Sequence, residues 1–229
     1  MERVGDAFTY PFRDPKWVEK IVIVGLIGLI PIVGVINNLG WMLAAIGRIR
    51  AGEEGLPPAN FDYLGRGLQL FVVLLVYGFL VLLVAGVFFV PAVVLLNTES
   101  GDHGNAFLTV IGVLLLLFAF AVAVAGFLLA YLVRPAIVLA VDHRGIEGGF
   151  DVAAILRRVR EKPADALIAG LMLIAAGFIG SLGAYLLCFV GTIFTIPYSL
   201  AMEAWIVRSY ELGAKPQEAL DVGHSAPAG

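Results

Sequence analysis

The stretch Gly148–Pro163, GGFDVAAILRRVREKP, is a charged island between two long apolar runs. Val152, Ile155, Leu156 and Val159 fall at i, i+3, i+4 and i+7, while Arg157, Arg158, Arg160 and Lys162 take the other face. The spacing predicts a short basic amphipathic helix. Such a helix lies in a membrane surface, its apolar stripe among the acyl chains and its cations toward the leaflet that carries anionic lipid. The four cations are therefore candidate lipid-binding residues. A solvated helix on a soluble protein is the plain alternative, and the flanking apolar runs argue against it.

Working outward, Leu68–Leu96 is 29 residues without a charge, enough for a tilted or kinked span, and Ala106–Val133 is a second such run. The connector between them, Asn97–Asn105 (NTESGDHGN), is short, acidic and turn-forming. Arg134-Pro135 ends or kinks the second run, and Asp142-His143-Arg144 reads as a loop triplet. Beyond the island, Ala164–Glu211 is too long for one span. Its glycines permit a turn near residues 187–191, and Pro197 kinks the final helix.

Upstream, Trp17–Arg50 is broken by Pro31 and Gly34. Arms of about 15 to 19 residues reach roughly 22 to 28 Å, short of a hydrocarbon core of about 30 Å. Residues 17–50 thus cross twice, cross once as a kinked helix, or re-enter. Residues 51–66 form a polar loop, and the tail 214–229 is small, polar and expected to be disordered.

Of the 229 residues, 60% are hydrophobic and 14% charged, and the mean hydropathy is +0.95. That is more apolar surface than a soluble core needs, so an integral membrane protein is expected. A net charge of -3 gives no reason to expect a nucleic-acid partner. Cys188, the single cysteine, has no intrachain partner.

Charge placement arbitrates the topology. With outer connectors at residues 31–37, 97–105 and 187–191, none of the 15 Lys and Arg residues lies outside. The positive-inside rule then favours about six membrane helices in three hairpins, with both termini cytoplasmic. The expected fold is all-α: one polytopic helical domain over residues 1–213, with interfacial amphipathic helices on the inner face. A weak threefold similarity accompanies it, with helix ends AAIGRIRAG at 44–52, AIVLAVDHRG at 136–145 and EAWIVRSYELG at 203–213.

Tyr10–Trp17 (YPFRDPKW), the Leu29–Gly34 break (LIPIVG) and Gly40–Leu68 carry a resemblance. They are similar to the entry, break and Gly-x-x-x-Leu-Pro loop of the prokaryotic membrane family known as domain of unknown function 4013. Pro197–Gly213 resembles that family's last helix in style. The resemblance implies membrane location and topology, and it brings no catalytic residue.

Four further residues are candidate intramembrane polar groups. Glu203 lies in the last apolar helix and Arg134 approaches from another, so the two are a candidate pair. Ionisable groups within a bilayer are costly unless partnered, and snorkelling anchors at headgroup depth are the plainer account. Asn37 and Asn38, beside the Pro31 break, line a polar cavity as in transporters or simply cap a turn. His103, His143 and His224 show no metal-ligand spacing, and no nucleophile, cofactor or metal motif is present. The small-residue stripe Ala176, Gly180 and Ala184, with Gly177 and Ser181 beside it, suits close helix packing within the chain or in a homo-oligomer.

The expectation is a non-enzymatic membrane protein that binds lipids or a partner protein through a basic cytoplasmic face. The competing expectation is a small transporter or channel using the broken first helix pair and Glu203/Arg134.

Overall fold

The computed structural model describes residues 5–53, 55–98, 105–186 and 190–213, and the described chain is all-α. The helices are α1 (Asp6–Thr9), α2 (Trp17–Gly28), α3 (Val33–Arg50), α4 (Leu64–Thr98), α5 (Ala106–Phe150), α6 (Val152–Glu161), α7 (Pro163–Leu186) and α8 (Val190–Leu212), with a 3-10 turn at Tyr10–Arg13. Cys188, His103, His224, most of the 97–105 connector and the tail lie outside the described residues.

Among the described residues three helices are long and apolar enough to cross a membrane: α4 with 35 residues, α5 with 45, and the 20-residue Pro163–Leu182 part of α7. In the most apolar windows of α4 and α5 only 11% of residues are buried. So much exposed Leu, Val and Phe on continuous helices is stable only where the surrounding solvent is itself apolar. The first apolar run turns at residues 29–32, where exposed Ile32 has φ 64°, and α2 packs against α3. At 12 residues α2 is shorter than the arm expected there, about 18 Å at 1.5 Å per residue.

Chain contacts define two compact units, Met1–Val73 with Tyr131–Gly229, and Leu74–Ala130. In the first unit α8 packs against α2, α3 and α7. Ala201, Met202, Ala204 and Val207 of α8 are fully buried, and Tyr10, Ile21, Val24, Trp41 and Leu56 form a core cluster with Ala201. Trp41 Nε1 donates to Pro57 O at 3.3 Å, which satisfies the indole within that core. Two crossings depend on missing side chains. A β-carbon on Gly25 of α2 would collide with the Ile193 carbonyl of α8, and one on Gly67 of α4 would collide with the Ile36 carbonyl of α3.

The stripe on α7 serves packing within the chain. Ala176 is buried, Gly180 faces the Ser199 side chain of α8, and Ser199 Oγ donates to Ala176 O at 3.4 Å. Gly177 has open space beside it.

In the second unit, Gly126 sits against Val81, Phe118 meets Phe88 edge-on with ring centroids 4.8 Å apart, and Gly112 sits against Leu96. As one number rises its partner falls, so the two strands of helix run antiparallel. Outward side chains are apolar and exposed, with Phe107 at 70% and Phe120 at 69%.

The Asp142-His143-Arg144 triplet corrects the sequence reading: it is helical, not a loop. α5 runs through Pro135, and its only non-helical backbone is at Gly145 (φ 65°, ψ -150°). Ala136, Ile137, Val138, Leu139 and Val141 are buried, so packing carries the helix past the proline and past the end of the apolar run. At Gly145 the chain folds back, and a β-carbon on Gly148 would collide with the Ala140 carbonyl. That reversal delivers the chain to α6.

Candidate functional site

α6 starts where Asp151 caps it: Asp151 Oδ1 accepts from Ala154 N at 2.9 Å and Oδ2 from Arg144 at 3.0 Å. The bond from Ala154 N, reinforced by Arg144, holds the Asp151 carboxyl below the usual range. Of the apolar stripe only Ile155 is buried; Val152 is 50% exposed and Leu156 41%. The arginines stand on the neighbouring face. Arg158 places its guanidinium 5.9 Å from the centroid of the Tyr210 ring of α8. A surface cavity of about 470 Å³ opens between α6, the end of α5 and the end of α8, lined by Arg144, Arg157, Arg158, Lys162 and Tyr210 with Glu161 and Glu211. A second depression of about 510 Å³, lined by Ala153, Leu156, Arg157, Arg160 and Glu161, adjoins it along α6 and shares Arg157 and Glu161 with it. Three of the four sequence-predicted cations therefore meet at one concavity, and Arg160 lines the other.

The Glu203 and Arg134 side chains meet. Arg134 Nε donates to Oε1 at 2.6 Å and Nη2 to Oε2 at 3.0 Å, a fork on a carboxylate whose residue is 7% exposed. Both carboxylate oxygens are occupied by one partner.

Asn37 and Asn38 point to different neighbours. Asn37 donates to Asn60 O at 2.9 Å, tying α3 to the loop before α4, and is fully buried. With its amide nitrogen turned toward the carbonyls, Asn38 donates to Val24 O at 3.2 Å and Gly34 O at 3.3 Å, bridging α2 and α3. Both act here as ties between elements.

A second polar cluster escaped the sequence reading. Arg50 at the end of α3 donates to Asp142 of α5 at 2.8 Å and to both oxygens of Glu211 of α8 at 3.0 Å. Arg208 donates to Glu211 at 2.6 Å, His143 Nε2 lies 2.9 Å from the same carboxylate, and Arg66 pairs with Asp142. Glu211 near the end of α8 thus gathers side chains from α3 and α5, and Asp142 brings in Arg66 of α4. The only trace in the sequence was the threefold similarity of helix ends, because Arg50, Asp142 and Glu211 belong to its three copies.

A third knot fastens the entry segment. Asp14 accepts from Lys16 N at 2.8 Å, Leu56 N at 2.7 Å and Lys20 Nζ at 2.7 Å. Burial pushes its carboxyl up, yet Lys20 and the two backbone donors outweigh that and hold it below the usual range. Nearby Tyr10 is pushed up to about 12, chiefly by burial. The Arg13 guanidinium lies 5.0 Å from the Trp205 ring, and Tyr198 donates to Phe8 O at 2.7 Å, so α8 also secures the entry segment. Among the described residues no three His, Cys, Asp or Glu side chains gather as a metal would require.

An all-α chain with, among the described residues, three helices of membrane-crossing length and apolarity has the build of a membrane protein. Nothing in that build selects a chemistry. The chain belongs to the family described as Protein of unknown function (DUF4013), which it matches over residues 23–189. The match extends well past the first helices and takes in α6, while the Tyr10–Trp17 entry and the Pro197–Gly213 ending fall outside it. No curated protein and no solved structure matches the chain.

Proposed function

We propose that this is a non-enzymatic, multi-pass protein of the cell membrane that binds anionic lipid through a basic cytoplasmic face. In this reading the pairs α2/α3, α4/α5 and α7/α8 are three hairpins entered from the cytoplasm, α2/α3 being the short re-entrant one, and both termini are cytoplasmic. The observation that carries it is α6. An exposed Val152 and Leu156 beside Arg157 and Arg160 suit neither water alone nor hydrocarbon alone, and they do suit the headgroup boundary. Each basic residue near an anionic leaflet contributes about 1 kcal/mol, so the four together make a useful but salt-sensitive anchor. The reading asks binding, and no bond-making step, of these side chains.

The test uses the full chain in nanodiscs, with Cys188 replaced and a fluorophore on Val152→Cys. Spin-labelled lipid should quench it strongly in discs rich in phosphatidylglycerol and weakly in phosphatidylcholine, and Arg157→Glu with Arg160→Glu should remove the difference. Equal quenching in both lipids would refute charge-driven binding, and no quenching in either would place α6 away from the membrane.

A further inference from the structure

The cations of α6 are not spread evenly along a surface. Arg157, Arg158 and Lys162 come from α6 and its C-cap, Arg144 comes from the end of α5, and all four line one cavity of about 470 Å³ against Tyr210. Part of the charge facing them is taken up by other partners. Glu211 is engaged by Arg50, Arg208 and His143, and Arg144 shares its guanidinium with Asp151. That leaves three cations, Arg157, Arg158 and Lys162, facing Glu161 within the cavity and Asp165, whose carboxylate lies beside Lys162 Nζ at Gly213.

Two features organise this excess. Arg158 holds its guanidinium over the Tyr210 ring, 5.9 Å from the centroid, within cation–π range. Lys162 Nζ sits over Gly213, where an added β-carbon would come within 2.6 Å of it. Tyr210 is itself buried, and among the described residues its hydroxyl has no hydrogen-bond partner. A phosphate monoester supplies what such a site lacks: a charge of about -1.5 to -2 near neutral pH and three acceptor oxygens. A phosphodiester, with a single charge, answers less of it.

We propose that this cavity is a phosphate-binding site selective for a phosphomonoester over a phosphodiester. The inference rests on the lipid-facing reading of α6 but goes beyond it, because a charged surface alone does not distinguish the two esters at equal charge density. The adjoining depression lined by Ala153 and Leu156 offers an apolar surface to the rest of a lipid.

The full chain in detergent is titrated by native mass spectrometry with phosphatidic acid and with phosphatidylglycerol. It is also placed in nanodiscs holding either lipid at matched total surface charge. The wild type should retain phosphatidic acid at least about fivefold better, since charge-assisted bonds are the strong ones. Arg158→Gln with Lys162→Gln should bring the ratio near one while the melting temperature holds. Arg158→Lys and Tyr210→Phe, which keep charge and shape, should each lower it partway. Inorganic phosphate is then added at millimolar concentration: competition assigns the site to phosphate from a soluble source, and retention of the lipid preference without competition assigns it to a headgroup. A ratio near one in the wild type would overturn the site and leave the surface reading standing. Absence of binding to either lipid would remove both.

Discussion

The Glu203–Arg134 fork is a closed pair, and its removal is costly for a definite reason. Glu203→Gln leaves a guanidinium beside a buried amide that no longer neutralises it, and breaking one side of a buried pair costs about 3 kcal/mol or more. Thermal unfolding in detergent should fall clearly for Glu203→Gln, whereas Arg134→Met with Glu203→Leu should recover most of the loss. If Glu203→Gln melted like the wild type, the pair would not be a fastening. Asp14 makes a separate forecast in pH. Its carboxyl is held low in the folded chain, so its contribution is full above the ordinary aspartate range and fades as pH falls through the lower folded value, below about 4. Acid titration followed by tryptophan emission from Trp17 and Trp41 should show that release, and Asp14→Asn should remove the transition. These two residues differ in legibility. A lone acid in an apolar helix announces itself, but Asp14 reads as an ordinary helix start, since its partner Leu56 N is 42 residues away.

At the scale of elements, the α3/α4 crossing is decided by backbone meeting backbone at Gly67. Gly67→Leu forces the helices apart and should cost about 1 to 3 kcal/mol by overpacking, whereas Gly78→Leu, where nothing lies within 4 Å, should leave the melting temperature unchanged. Equal effects at the two sites would count against the crossing. In the sequence these glycines look alike, because an apolar run does not record which of its faces meets another backbone. α6 was legible for the opposite reason: a 3.6-residue period over ten residues is local information, and within the stretch Gly148–Pro163 the helix occupies Val152–Glu161, because the fold-back at Gly145 takes up Gly148 and Gly149. The continuation of α5 past Pro135 was not legible, since it is secured by burial among residues distant in the chain.

At the scale of the whole molecule, the asymmetry of cations makes one mapping experiment decisive. Cysteines at Lys16 and Arg158 should react with an impermeant reagent from the same side, and Ser100→Cys from the other. Labelling of Lys16→Cys and Arg158→Cys from opposite sides would reverse the proposed topology. Length and apolarity made three membrane-length helices readable from the sequence, but not the cluster around Arg50, because Arg50 finds Asp142 and Glu211 across 92 and 161 positions of chain. That separation has a consequence during synthesis. A ribosome that stalls before the last helix releases a polypeptide in which Arg134 and Arg50 both lack the carboxylate of α8, and Tyr10 and Trp41 lack the surface that covers them. Such a product keeps Arg50 on Asp142 but leaves the Arg134 guanidinium bare and the aromatic surface open, so the last helix to be made is the one that closes the fold.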